Sequence, residues 1–164
     1  MTLPGYRLIN VLGLAGCLVA MAFALYLQHV EGLEPCPLCI LQRVAVFGVM
    51  GVLLVAIVHN PGRTGQRVYA GLALASALAG LGVAGRHVWL QYLPADQVPA
   101  CGPGLEYMLD VFPLKDALSM VLSGSGECAT VDWTFLGFSL AELTAGVFVG
   151  LVALGLFQLL RRDA

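Results

Sequence analysis

Four apolar runs, each long enough to cross the hydrocarbon core of a bilayer, decide what this chain can fold into. They cover residues 8–27, 38–58, 68–90 and 143–160. The first carries no charge, and Asn10 is its only strongly polar residue. The second is broken only by Gln42 and Arg43. The third is uncharged as far as Gly85 and then takes in Arg86 and His87. Such lengths, rich in Leu, Ala and Gly, suit helices; a barrel strand would alternate polar and apolar residues. With 59% apolar and 11% charged residues and a mean hydropathy of +0.88, a soluble domain is excluded. The expected fold is one all-α membrane domain over residues 1–164, a bundle of four transmembrane helices. The first run reads as a retained helix and not a signal peptide. Its apolar core is longer than an h-region, and no small-x-small site precedes the polar turn at Gln28-His29.

Arginine asymmetry orients the bundle. Arg7, Arg63, Arg67, Arg161 and Arg162 all fall on one side of a four-span arrangement. Both termini and the turn at residues 60–66 are therefore expected in the cytoplasm. Loops 28–37 and 91–142 face outward and carry nine of the ten acidic residues. The net charge of −2 names no partner, and no basic patch points to nucleic acid.

Topology gives the cysteines meaning. Cys36, Cys39, Cys101 and Cys128 all fall on the outer side, where disulfides persist; Cys17, in the middle of the first run, reads as an apolar filler. Joined to each other, Cys101 and Cys128 would staple the long loop, worth about 3–4 kcal/mol in the chain-entropy view. A zinc site built from four cysteines is the weaker reading, because the second pair lacks C-x-x-C spacing. Cys36 and Cys39 suit neither purpose as well as redox cycling, since a four-residue ring constrains little. Pro35 and Pro37 keep the approach extended and then allow a helix to start, and a helix N-terminus favours thiolate over thiol. Arg43, one turn after Cys39, shares its face. It reads either as an interfacial arginine with an apolar stem or as a cation serving the site.

The run Cys36-Pro37-Leu38-Cys39-Ile40-Leu41-Gln42-Arg43 resembles the signature of the DsbB family of quinone-linked thiol oxidases. The resemblance continues in Arg86-His87-Val88-Trp89-Leu90-Gln91, in Gly126-Glu127-Cys128 and in Trp133-Thr134-Phe135-Leu136-Gly137. It departs after Cys101, where Gly102-Pro103-Gly104 forms a turn-prone stretch. The resemblance implies a protein-dithiol:quinone oxidoreductase of the bacterial inner membrane with its redox loops in the periplasm. Its partners would be a DsbA-type periplasmic thiol oxidase, membrane quinone (ubiquinone or menaquinone) and the bilayer, with no metal. It further implies a relay in which the partner attacks the Cys101–Cys128 disulfide at Cys101. Cys128 then exchanges with Cys36, and Cys39 delivers electrons to quinone beside Arg43, with His87 nearby. Two alternatives stand beside it: a quinone reductase like vitamin K epoxide reductase, whose C-x-x-C falls in a later helix, and a non-catalytic scaffold stapled by disulfides.

Two further features bear on packing. Apolar residues recur through 105–122 with a break at Pro113, which predicts a short amphipathic helix lying in the membrane interface of the second outer loop. Gly146 and Gly150 form a G-x-x-x-G, and Gly71, Ala75 and Ala79 repeat at the same spacing. These predict close helix approach within the bundle, with dimerisation as the lesser reading.

Overall fold

The computed structural model describes residues 5–94, 96–100, 102 and 105–161. Cys101 therefore lies outside the described residues. Four long helices, α1 (Tyr6–His29), α2 (Pro37–His59), α3 (Arg63–Gln91) and α7 (Leu140–Leu160), are each long and apolar enough to span a membrane. Between α3 and α7 come α4 (Leu105–Val111), α5 (Leu114–Ser123), α6 (Gly126–Ala129) and a two-stranded hairpin, β1 (Thr134–Phe135) with β2 (Phe138–Ser139). Together they make the expected four-helix bundle.

Local chemistry sets the ends of these helices. Cys36 is the N-cap of α2, its sulfur accepting the Cys39 N–H at 3.4 Å, and Pro37 occupies the first turn, where its missing N–H costs nothing. Asn60 ends α2 in the left-handed conformation at φ 42°, and Pro61 follows, as is common just past a helix end. Because α3 already begins at Arg63, the turn expected at residues 60–66 shrinks to residues 60–62. Ser139 and Glu142 form a reciprocal capping box at the start of α7, satisfying two otherwise orphaned N–H groups. In the hairpin just before it, Leu136 and Gly137 both have positive φ, the requirement of a type I′ turn.

The bundle is inverted relative to a soluble protein. Val19, Val44, Val58, Leu72 and Val149 face outward, whereas Asn10, Gln42, His87 and Gln158 are buried. That distribution is stable only with lipid outside, since buried polar groups need partners and exposed apolar ones need an apolar solvent. Gln158 donates to Asn10 Oδ1 at 2.7 Å, joining α7 to α1.

Close helix approach uses different small residues from those expected. Gly71, Gly146 and Gly150 face open space, and Ala75 and Ala79 are exposed. The contact instead runs along Ala70, Ala73, Ala77, Gly80 and Ala84 of α3. A Cβ on Gly80 would lie 2.1 Å from the Phe148 ring of α7. Four-residue spacing selects a stripe but not which stripe faces a neighbour, and the bulky Phe148 decides that.

A second apolar cluster caps the end of the bundle where α2 begins and α3 ends: Leu38, Leu90, Met108, Ala117, Val121 and Cys128. Through it α4 and α5 pack by one face each, leaving Leu109, Val111, Phe112, Leu114 and Leu118 exposed. Pro113 separates the two helices as the N-cap of α5. Arg86 donates to the carbonyls of Leu122 (3.2 Å) and Ser123 (2.8 Å) and lies 4.4 Å from the centre of the Trp89 ring. It thereby holds the end of α5 against α3, a structural role.

Candidate redox site

The site forms where the first turn of α2 meets the C-terminal end of α3. The sulfurs of Cys36 and Cys39 lie 3.0 Å apart as free thiols, so the i, i+3 spacing already holds them near bonding distance. His87 presents its ring edge to the pair, with Nε2 3.8 Å from Cys36 Sγ and Nδ1 4.0 Å from Cys39 Sγ. Nδ1 is also 3.2 Å from Gln42 Nε2. Only 4% of His87 and 3% of Gln42 is exposed, so the two side chains satisfy each other away from solvent. In the sequence, Gln42 interrupts an apolar run and belongs to the Cys36–Arg43 signature, without a role of its own. A polar residue within a span marks a site by default, and it is the signal that would have found it.

Arg43 lies one turn below Cys39, but among the described residues its hydrogen bonds reach α1 and not the sulfurs. Nη1 donates to Gln28 Oε1, and Nη2 donates to the Ala24 carbonyl at 3.2 Å. His29 and His59 end α1 and α2, and His59 Nδ1 is 2.8 Å from the Tyr69 hydroxyl.

Cys128, on α6, is fully buried in the second apolar cluster, against which Cys36 also packs. Hydrogen bonding with Cys36 and burial push its thiol well above the ordinary range, so it rests protonated. Ser125 Oγ lies 3.7 Å from its sulfur. Cys36 therefore lies 3.0 Å from Cys39 and packs against the cluster that contains Cys128. Cys17 is buried in the central core, well apart from this group.

A cavity of about 900 Å³ opens beside the dithiol. Cys36, Cys39, Gln42, Arg43 and His87 line it together with apolar side chains such as Met21, Leu27, Val46 and Trp133, and with Glu34, Glu127 and Asp132. A mostly apolar space with a few convergent polar groups has the make-up of a small-molecule site.

A membrane bundle whose dithiol opens onto an apolar cavity defines a membrane-embedded thiol oxidoreductase. Comparison with known proteins gives the family. Residues 6–158 match the family described as disulfide bond formation protein DsbB. The chain is 55% identical over 157 residues to disulfide bond formation protein B of Acinetobacter baumannii, covering 95% of this chain and 92% of that one. It is 54% identical over 153 residues to the protein of that name from Nitrosococcus oceani, covering 93% and 90%. With the one from Saccharophagus degradans, identity is 51% over 160 residues, covering 98% and 96%. The chain belongs to the DsbB family and is a multi-pass membrane oxidoreductase of disulfide formation.

Proposed function

We propose that this protein takes two electrons from a periplasmic thiol oxidase of the DsbA type and passes them to quinone in the inner membrane. The observation that carries this reading is the position of Cys36, 3.0 Å from Cys39 at the cavity and packed against the cluster that holds Cys128. The partner's thiolate attacks the Cys101–Cys128 disulfide at Cys101, forming a mixed disulfide and freeing Cys128. Cys128 exchanges with the Cys36–Cys39 disulfide at Cys36, releasing Cys39 as thiolate. The partner's second thiol then resolves the mixed disulfide and leaves oxidised, with Cys101 reduced. A final exchange restores the loop disulfide, leaving Cys36 and Cys39 as the reduced pair.

Quinone, when bound, accepts the two electrons and two protons of that pair. The cavity fits such a ring, with apolar walls for the ring and its tail and polar side chains gathered beside Cys39. Arg43, braced on α1, supplies fixed positive charge where negative charge develops on oxygen, an effect strengthened by the surrounding lipid. His87 and Gln42 offer hydrogen-bonding groups beside the sulfurs, which supports their holding the dithiol and the ring in register. The arginine distribution supports cytoplasmic termini, with loops 28–37 and 91–142 in the periplasm.

Quinone-dependent oxidation of a reduced DsbA-type protein by the purified chain tests the proposal. Cys39→Ser is expected to abolish quinone reduction while a mixed disulfide through Cys101 still forms. Cys101→Ser is expected to abolish oxidation of the partner while reoxidation of Cys36 and Cys39 continues. Full turnover by Cys101→Ser would reduce the loop pair to a staple and refute the relay.

A further inference from the structure

Cys36, Cys39 and His87 each offer one ligand atom, all within 4.8 Å of one another. We propose that the reduced chain binds a thiophilic divalent cation of the zinc type through Cys36 Sγ, Cys39 Sγ and His87 Nε2. Tetrahedral zinc, with bonds of about 2.3 Å to sulfur and about 2.0–2.1 Å to nitrogen, spaces a sulfur and a nitrogen about 3.6 Å apart. The observed separation of Cys36 Sγ from Nε2 is 3.8 Å. The two sulfurs, 3.0 Å apart, must open to about 3.8 Å for the same geometry. A small rotation of Cys39, whose side chain borders the cavity, supplies that movement.

Gln42 makes the histidine a ligand as well as a neighbour. Its amide lies 3.2 Å from Nδ1, and amide oxygen and nitrogen exchange places by a flip. With the oxygen accepting Nδ1–H, the lone pair of Nε2 faces Cys36. A hydrogen bond to the far ring nitrogen is the usual way a metal-binding histidine is oriented. Three protein ligands beside an open cavity leave the fourth position to water, the arrangement of zinc sites with an exchangeable ligand. Binding releases one proton from each thiol and changes no oxidation state. On the function proposed above, the bound cation blocks the dithiol from becoming a disulfide, so a metal-loaded enzyme is arrested in its reduced form.

The test uses the full-length chain in detergent, carrying Cys101→Ser and Cys128→Ser so that the loop thiols do not compete, reduced and titrated with cadmium or zinc ions. It needs no quinone and no partner protein, so its failure is separate from failure of the electron route. Expected are one cadmium per chain, a thiolate-to-cadmium charge-transfer band from two sulfurs, and loss of both when the pair is oxidised. His87→Gln is expected to weaken binding at least tenfold and Gln42→Leu about ten- to a hundredfold, with Cys17→Ser unchanged. X-ray absorption of the zinc form is expected to give two sulfurs at about 2.3 Å and one nitrogen at about 2.0–2.1 Å. Unchanged affinity in both His87→Gln and Gln42→Leu would show chelation by the dithiol alone and overturn the site. If His87→Gln does not fold, a zinc shell without nitrogen in the otherwise unaltered site overturns it equally.

Discussion

Arg43 shows how much a single side chain discloses in sequence and how much needs its neighbours. Spacing from Cys39 put it on the right face, and it does line the cavity. Its partners, Gln28 and the Ala24 carbonyl, belong to a different helix that no local pattern pairs with it. Two guanidinium nitrogens serve two acceptors, and a lysine ammonium on a flexible stem does not reproduce that fork. Arg43→Lys is expected to lower kcat/KM for quinone by about ten- to a hundredfold, corresponding to about 1.5–3 kcal/mol for a charged hydrogen bond. Steady-state kinetics on well-folded protein check this; wild-type values would make Arg43 a structural brace only. Cys128 carries a pH-dependent prediction. Its raised thiol pKa means the folded protein holds that proton more tightly than the unfolded chain. The associated stability is full below the ordinary thiol value of about 8.5 and fades as pH rises through it towards the folded value. Thermal unfolding of the reduced protein is expected to shift to lower temperature above about pH 8.5, and Cys128→Ala to flatten that dependence. An identical pH profile in Cys128→Ala would count against the buried Cys36–Cys128 contact.

At the scale of elements, helix existence was legible because each span is a long apolar run. Helix pairing was not, because every face of a span is apolar and periodicity carries little direction. Gly80 and the G-x-x-x-G of α7 make the difference concrete. Gly80→Ala places a methyl group against Phe148 and is expected to cost about 1–3 kcal/mol through overpacking. Gly146→Ala and Gly150→Ala, which meet open space, are expected to leave stability in detergent within about 0.5 kcal/mol. A thermal-shift series comparing the three variants decides; equal destabilisation by all would return the G-x-x-x-G to the bundle interior. The Asn10–Gln158 bond behaves in the opposite sense to packing. Asn10→Leu strands a buried amide and is expected to destabilise by about 1–2 kcal/mol, whereas the double change to leucine recovers part of that loss. A double-mutant cycle showing simple additivity would mean the two amides do not interact.

For the whole molecule, the distribution of arginines and the placement of the redox groups concern one question, which end of the bundle faces the periplasm. Arg63 and Arg67 sit at the start of α3 and Arg161 just past α7, whereas Cys36, Cys39, Cys128 and α4 to α6 gather at the opposite end. A thiol–disulfide relay with a periplasmic partner requires that end to lie outside. With that end outside, a membrane-impermeant thiol reagent is expected to reach the loop that carries Cys101 and Cys128. Full burial of Cys128 under α4 and α5, together with its raised pKa, slows its own reaction, because alkylation needs exposed thiolate. In reduced, intact spheroplasts, Cys101 is expected to be labelled readily and Cys128 only slowly, with denaturation making the rates alike. Cys17, buried in the bundle core, should react only after denaturation. Mass spectrometry of peptides from single-cysteine variants reads each rate directly. Labelling of Cys101 only after lysis would invert the topology, and rapid labelling of Cys128 in intact cells would mean that the outer cluster opens away from the dithiol it is proposed to serve.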